Sequence, residues 1–152
     1  MKKFKFTLQP LVNYKKTVER LQKDELRRAQ QALRELLDEE TRLLKAYSDN
    51  ERSLEEALRR NESLARVLSE HDAFFRFLRD ALKTLREMIV KAEEVVRKCQ
   101  ERLIITMKEL KTYSKLRTEQ YQSYLKELQA EEAKDMGDLV SFNYISAPDG
   151  TS

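Results

Sequence analysis

The sequence predicts an all-α protein, a long antiparallel two-helix coiled-coil hairpin with a flexible C-terminal tail. Between Pro10 and Gly137 the chain has no glycine and no proline, the two residues that helix interiors disfavour most. Apolar residues recur there at spacings of three and four, which keeps one seam facing a partner helix. Charged residues make up 38% of the chain and aromatic residues 8%, a composition typical of coiled coils.

The first helix is expected over about residues 8–60, with Pro10 in its first turn, where a missing N–H costs little. A step of five from Leu21 to Leu26 predicts a local phase shift in the seam. Upstream of this step the predicted seam positions are Leu11, Tyr14, Val18 and Leu21. Downstream they are Leu26, Ala29, Leu33, Leu36, Glu40, Leu43, Tyr47, Asn50, Leu54, Ala57, Asn61, Leu64 and Leu68.

A turn is expected over about residues 61–69, because Ser69-Glu70-His71-Asp72 fits a helix-capping pattern before an apolar run. Two seams in one chain bury each other without a concentration penalty, which favours folding back over one continuous helix. The second helix is expected over about residues 70–134. Its predicted seam is Phe74, Leu78, Ala81, Leu85, Met88, Ala92, Val95 and Cys99, followed by a slip of one residue to Leu103, Thr106, Leu110 and Tyr113.

A single coiled-coil domain is therefore predicted for residues 1–136. Residues 137–152, where the apolar pattern fails, are predicted to be a flexible tail.

Composition argues against several classes of function. The net charge is only +3, from 30 basic and 27 acidic residues that are interspersed, so no basic stripe for nucleic acid is expected. One cysteine and one histidine cannot form a disulfide or anchor a metal cluster, and no Gly-rich phosphate loop is present. Paired glutamates such as Glu39-Glu40 point about 100° apart on a helix and do not converge on a substrate. We therefore expect no catalysis, no cofactor and no metal.

Localisation is also predicted from the apolar pattern. No stretch approaches the roughly 18 apolar residues of a membrane span, and the basic N-terminus lacks the apolar run of a signal peptide. A cytoplasmic protein is expected.

Aromatic residues at the start of the second helix are candidates for partner binding. Phe74, Phe75 and Phe77 cannot all face one narrow seam, and Phe75 and Phe77 lie about 100° and 60° from Phe74 on a helix. Large apolar side chains outside a seam often mark a partner surface. Leu44 and Tyr47 would lie across from them in a hairpin. The alternative, that these residues thicken the packing near the turn, stays open.

Several features resemble the FliJ family of flagellar type III export proteins. They are the Phe4-x-Phe6-x-Leu8-x-x-Leu11 start, the chain length, the uninterrupted helices, the segment 47–54 and the aromatic opening 74–78. The resemblance spans nearly the whole chain. It implies a non-catalytic coiled-coil stalk and adaptor, peripherally associated with the inner face of the cell membrane and serving flagellum biogenesis and motility.

The resemblance also implies partners. These are the hexameric flagellar export ATPase, whose assembly such proteins promote, the cytoplasmic linker of the membrane export-gate protein, and export chaperones. The ATPase ring would receive the paired termini, Leu8–Leu21 with the second helix beyond Leu103. The implied partner-binding residues are Glu40, Leu44, Tyr47, Phe77, Ala81, Thr84 and Met88. Phe74 of the aromatic opening is added to this set. Glu51 departs from the aromatic residue expected at its place.

Two alternatives remain open at the level of sequence. One is the corresponding stalk of an injectisome-type secretion system. The other is a generic structural coiled coil, or a holdase that binds unfolded proteins without partner specificity.

Overall fold

The protein consists of two long helices packed against each other. The computed structural model describes residues 2–60 and 62–146, with side chains to residue 144. Helix α1 spans Gln9–Arg59 and helix α2 spans Leu64–Ser146, and the described residues form no strand. The predicted all-α hairpin is confirmed.

The reversal between the helices is shorter than predicted. Helix α2 begins at Leu64 rather than near residue 70, so the capping pattern at Ser69 lies inside the helix. Ser63 directly precedes the first helical residue, a position where a serine hydroxyl can accept a hydrogen bond from an otherwise unpaired amide. Asn61, a predicted seam residue, lies outside the described residues.

Helix α2 also ends later than predicted. It continues through Gly137 to Ser146, so the predicted helix end near residue 134 is wrong and residues 137–146 of the predicted tail are helical. One glycine costs a helix only about 1 kcal/mol relative to alanine, which a long helix tolerates. The rest of the predicted tail, residues 147–152, lies outside the described residues.

The chain divides into two compact units. The larger consists of Glu19–Ile105, and the smaller of the described parts of Met1–Val18 and Thr106–Ser152. In the larger unit Glu40 pairs with Arg86 and Asn50 with His71, so α1 and α2 run antiparallel. In the smaller unit Lys15 pairs with Glu109, and the helices are antiparallel there too.

The seam of α1 is confirmed from Leu26 to Ala57, where every predicted position is buried or half-buried. The predicted phase shift upstream is wrong. Leu21 is exposed, and half-buried Gln22 and Glu19 continue the three-and-four spacing without a step of five. In the smaller unit Val12 is buried, whereas the predicted seam residues Leu11 and Tyr14 are exposed.

The seam of α2 is confirmed at five of its first eight predicted positions. Leu78, Leu85 and Cys99 are buried as predicted, and Ala81 and Ala92 are half-buried. Three predicted seam residues are instead exposed, namely Phe74, Met88 and Val95. The positions one residue later replace them: Phe75 and Val96 are half-buried, and Ile89 is buried. Leu82, next to half-buried Ala81, is buried as well.

With these buried positions, the seam of α2 shows no slip after Cys99, and the predicted slip there is wrong. The spacing from Val96 through Cys99 to buried Leu103 is three and then four, so the alternation is uninterrupted. Near the reversal the buried residue is Val67. Leu64 and Leu68, which were predicted to close the first seam, belong to α2 and are exposed.

Candidate partner-binding grooves

An open apolar groove lies along one side of the helix pair in the larger unit. It has a volume of about 640 Å³ and is lined by Leu36, Glu39 and Leu43 of α1 and by Phe77, Asp80, Ala81, Thr84, Leu85 and Met88 of α2. Leu85 is buried at its floor, whereas Phe77 is 65% exposed and Met88 49% exposed. Phe74 stacks on Phe77 with ring centroids 6.4 Å apart. We call this the apolar groove.

A second groove in the same unit is lined by different residues. It has a volume of about 510 Å³ and is lined by Tyr47 of α1 and by Arg79, Leu82, Lys83, Arg86, Glu87 and Val90 of α2. Tyr47 packs against Phe75 with ring centroids 4.8 Å apart. Nε of Arg86 lies 3.4 Å from Oε2 of Glu40. We call this the basic groove.

The two grooves flank the seam of α2 on opposite sides. With about 100° between successive helical residues, Ala81 and Met88 lie on one side of buried Leu82 and Leu85. Lys83 and Val90 lie on the other side. Each groove therefore presents its own set of side chains to solvent.

The structure separates the predicted partner-binding residues. Phe77, Ala81, Thr84 and Met88 line the apolar groove, and Phe74 stacks beside them.

The predicted residues of α1 lie elsewhere. Tyr47 lines the basic groove, and Glu40 pairs with Arg86 of that groove. Leu44 is exposed and lines neither groove. The predicted partner-binding residues of α1 therefore do not share a surface with Phe77.

Sequence reasoning missed the α1 wall of the apolar groove. Leu36 and Leu43 were assigned only to the seam, yet both are half-buried and line the groove. In an antiparallel pair, seam leucines next to small residues remain partly open. Ala81, which lines the same groove, supplied the available signal, because an alanine leaves room between two helices.

The grooves differ in charge. The charged residues that line the apolar groove are Glu39 and Asp80. The basic groove has Arg79, Lys83 and Arg86 against the single carboxylate of Glu87. Groups drawn to one groove by charge would therefore be repelled by the other.

The smaller unit carries an aromatic cluster around the start of the chain. The ring of Phe4 lies 5.1 Å from that of Tyr121 and 5.5 Å from that of Tyr124, and the Arg117 guanidinium lies 5.9 Å from its centroid. Phe6 is buried.

An ion pair also joins the helices of this unit. Nζ of Lys15 lies 2.6 Å from Oε2 of Glu109, and this hydrogen bond raises the pKa of Lys15 above its ordinary value.

The last described part of α2 presents apolar side chains to solvent. Residues 129–144 are exposed throughout. The large apolar residues among them are Met136, Leu139, Val140, Phe142 and Tyr144.

Within residues 2–60 and 62–146, no three side chains of histidine, cysteine, aspartate or glutamate are grouped as a metal site requires. Cys99 is buried in the seam. In the same ranges, no helix is long and apolar enough to cross a membrane.

The described residues form a coiled-coil helical hairpin, and its larger unit carries the apolar groove and the basic groove. The profile of the family described as Flagellar FliJ protein matches residues 4–148. The match covers nearly the whole chain, so the chain belongs to the FliJ family, a non-catalytic structural and adaptor family of flagellar export. Searches of curated proteins and of solved structures gave no match.

Proposed function

We propose that this chain is a non-catalytic stalk and adaptor of the flagellar type III export apparatus. It promotes assembly of the export ATPase hexamer and links the hexamer to the cytoplasmic linker of the membrane export-gate protein. It also escorts export chaperones. The observation that carries the proposal is the match to the FliJ family over residues 4–148.

The apolar groove is the proposed contact for the gate linker. Its rim exposes Phe77 and Met88, and an aromatic anchor in a shaped groove is a common source of binding energy. Fully burying a side chain of this size is worth about 1.5–3 kcal/mol. Two such anchors support a specific but reversible contact. Through it the chain would sit at the inner face of the membrane.

The smaller unit is the proposed ring-inserting end. Exposed ion pairs contribute about 0–1 kcal/mol each, so a surface of mixed charge makes many weak contacts with a ring lumen. Such contacts allow the chain to pass between equivalent subunits without being held tightly. The exposed apolar residues of α2 beyond Lys134 add surface for the ring or for a chaperone.

Two alternatives would share this fold. An injectisome stalk would be encoded beside virulence genes instead of flagellar genes. A holdase would suppress aggregation of unrelated unfolded proteins, whereas an export stalk would not. Membership of the flagellar family favours the export stalk.

The test is a titration of the full chain into the purified flagellar export ATPase of the same organism, following hydrolysis rate and hexamer formation. Stimulation that saturates at about one chain per hexamer supports a stalk that acts in the ring. Met88→Ala is the matched control, because its groove lies outside the proposed ring-inserting unit and stimulation should be unchanged. No effect of the wild-type chain on either quantity would contradict the ring role.

A further inference from the structure

We infer that the basic groove is a second docking surface, and that its occupant is an acidic amphipathic helix of a protein partner. This goes beyond the proposed function, which uses the apolar groove for the gate linker and the smaller unit for the ATPase ring. The two docking surfaces would let one hairpin hold two different segments at once.

The floor of the basic groove is apolar and partly open. Leu82 is buried, Tyr47 is half-buried, and Val90 is 65% exposed. A valine this exposed next to an aromatic ring and a leucine offers an apolar strip to a partner side chain. This strip distinguishes the groove from an ordinary solvated charged face.

The cations follow that strip. Arg79, Lys83, Arg86 and Val90 recur along α2 at spacings of four, three and four, which places them on one helical face. Arg86 forms an ion pair with Glu40. Arg79 and Lys83 form no ion pair with any described residue. Two cations without an ion-pair partner among the described residues, beside an apolar strip, favour a helix with apolar side chains on one face and carboxylates on its flanks.

The length of the groove indicates the size of its occupant. The eleven-residue separation from Arg79 to Val90 corresponds to about 16 Å along a helix. A docked helix of about three turns would cover it, with leucines on the strip and glutamates beside Arg79 and Lys83. The apolar strip of Tyr47, Leu82 and Val90 favours apolar side chains over a phosphate backbone, so we assign the groove to a protein segment instead of a nucleic acid.

The test uses a designed, fluorescein-labelled helical peptide of about four turns, with leucines on one face and glutamates on both flanks. Its anisotropy is followed during titration with the full chain at low salt. The double variant Arg79→Glu/Lys83→Glu should weaken binding by about tenfold or more, and added salt should weaken wild-type binding. Val90→Asp should also weaken it, because it places a carboxylate on the apolar strip.

Matched controls separate the groove from general charge attraction. Lys91 is exposed and lines neither groove. Lys91→Glu should therefore change the affinity for the peptide by less than about twofold. Phe77→Ala, in the apolar groove, should likewise leave it unchanged. A scrambled peptide with the same composition but no apolar face should bind at least about tenfold more weakly.

Several results would overturn the inference. Failure of the peptide to bind, or equal weakening by Lys91→Glu and by the double variant, would do so. Tighter binding of a single-stranded oligonucleotide at the same residues would assign the groove to nucleic acid. A wild-type dimer in sedimentation that the double variant converts to monomer would assign it to a second copy of this chain.

Discussion

Nδ1 of His71 lies 2.7 Å from Oδ1 of Asn50, and this contact joins α1 and α2 close to the reversal of the chain. The Asn50 amide also donates to the backbone oxygen of His71 over 3.4 Å. Asn50 is only 7% exposed, so the pair is a polar contact within an apolar seam. Buried asparagines at seam positions fix helix register at some cost in stability. The pair therefore aligns the two helices of the larger unit.

Replacing one partner of this pair should be more damaging than replacing both. Asn50→Ala leaves the ring nitrogen and carbonyl of His71 without their partner, which should lower the free energy of unfolding by about 1–3 kcal/mol. The double variant Asn50→Leu/His71→Leu replaces both polar side chains with apolar ones and should recover most of this loss. Urea unfolding of Asn50→Leu, His71→Leu and the double variant measures the coupling. Additive losses would show that the two residues do not act as a pair.

The phase of the α2 seam predicts which truncations are costly. Leu82→Ala and Leu85→Ala remove buried leucines and should each lower the free energy of unfolding by about 2–5 kcal/mol. Val95→Ala is the control that separates the two phases, because Val95 is exposed and its truncation should change stability by about 0.5 kcal/mol or less. Thermal or urea denaturation measures all three. A large loss for Val95→Ala with a small loss for Leu82→Ala would contradict the phase.

The sequence predicted the helices better than their seams, and the reason is physical. Absence of glycine and proline together with apolar periodicity favours helix whatever the partner, so α1, α2 and the hairpin followed directly. The phase of α2 was harder, because Met88 and Ile89 are both apolar and adjacent, and only packing against α1 decides which is buried. The seam in the first part of α1 was misassigned because Gln22 occupies it while apolar Leu21 faces solvent.

The candidate site was predictable only for its α2 half. Exposed Phe77 could be found because three phenylalanines in four positions exceed what one seam can bury. The sequence could not predict that Tyr47 and Phe77 line different grooves, because this depends on which side of the seam each α1 residue faces. That side is set by the register that Asn50 and His71 share.

Truncating Phe77 should weaken binding of the gate linker without lowering the stability of the hairpin. Because Phe77 is 65% exposed, Phe77→Ala should change the melting temperature little while weakening capture of the gate linker by roughly tenfold, as truncation of an aromatic anchor does. Isothermal titration of the purified linker against the full chain measures the binding. Lys91→Glu, outside the groove, should bind as wild type. A marked drop in melting temperature for Phe77→Ala would instead place the ring in the core.

The Lys15–Glu109 ion pair predicts a pH dependence confined to alkaline conditions. The hydrogen bond to Glu109 raises the pKa of Lys15 above its ordinary value of 10.5. A raised lysine pKa gives stability that is complete below the unfolded pKa and is lost as pH rises through the folded pKa. NMR titration of the lysine side chains should find a lower Lys15 pKa in Glu109→Gln than in wild type. The melting-temperature difference between the two proteins should vanish at high pH, and a difference that persisted there would arise from packing.

Phe6 should hold the start of the chain onto the smaller unit. It is buried two residues after Phe4, whose ring packs against Tyr121 and Tyr124, and truncating a buried phenylalanine costs about 3–5 kcal/mol. Because it lies near a chain end, the loss should appear as local opening, with faster amide exchange at 9–18 and 106–124 and little change at 64–90. Hydrogen exchange with mass spectrometry measures this, with Phe74→Ala as the exposed control. If Phe6→Ala instead accelerated exchange equally in both units, the chain would open as one cooperative structure, and the Phe6 contact would stabilise the larger unit as well.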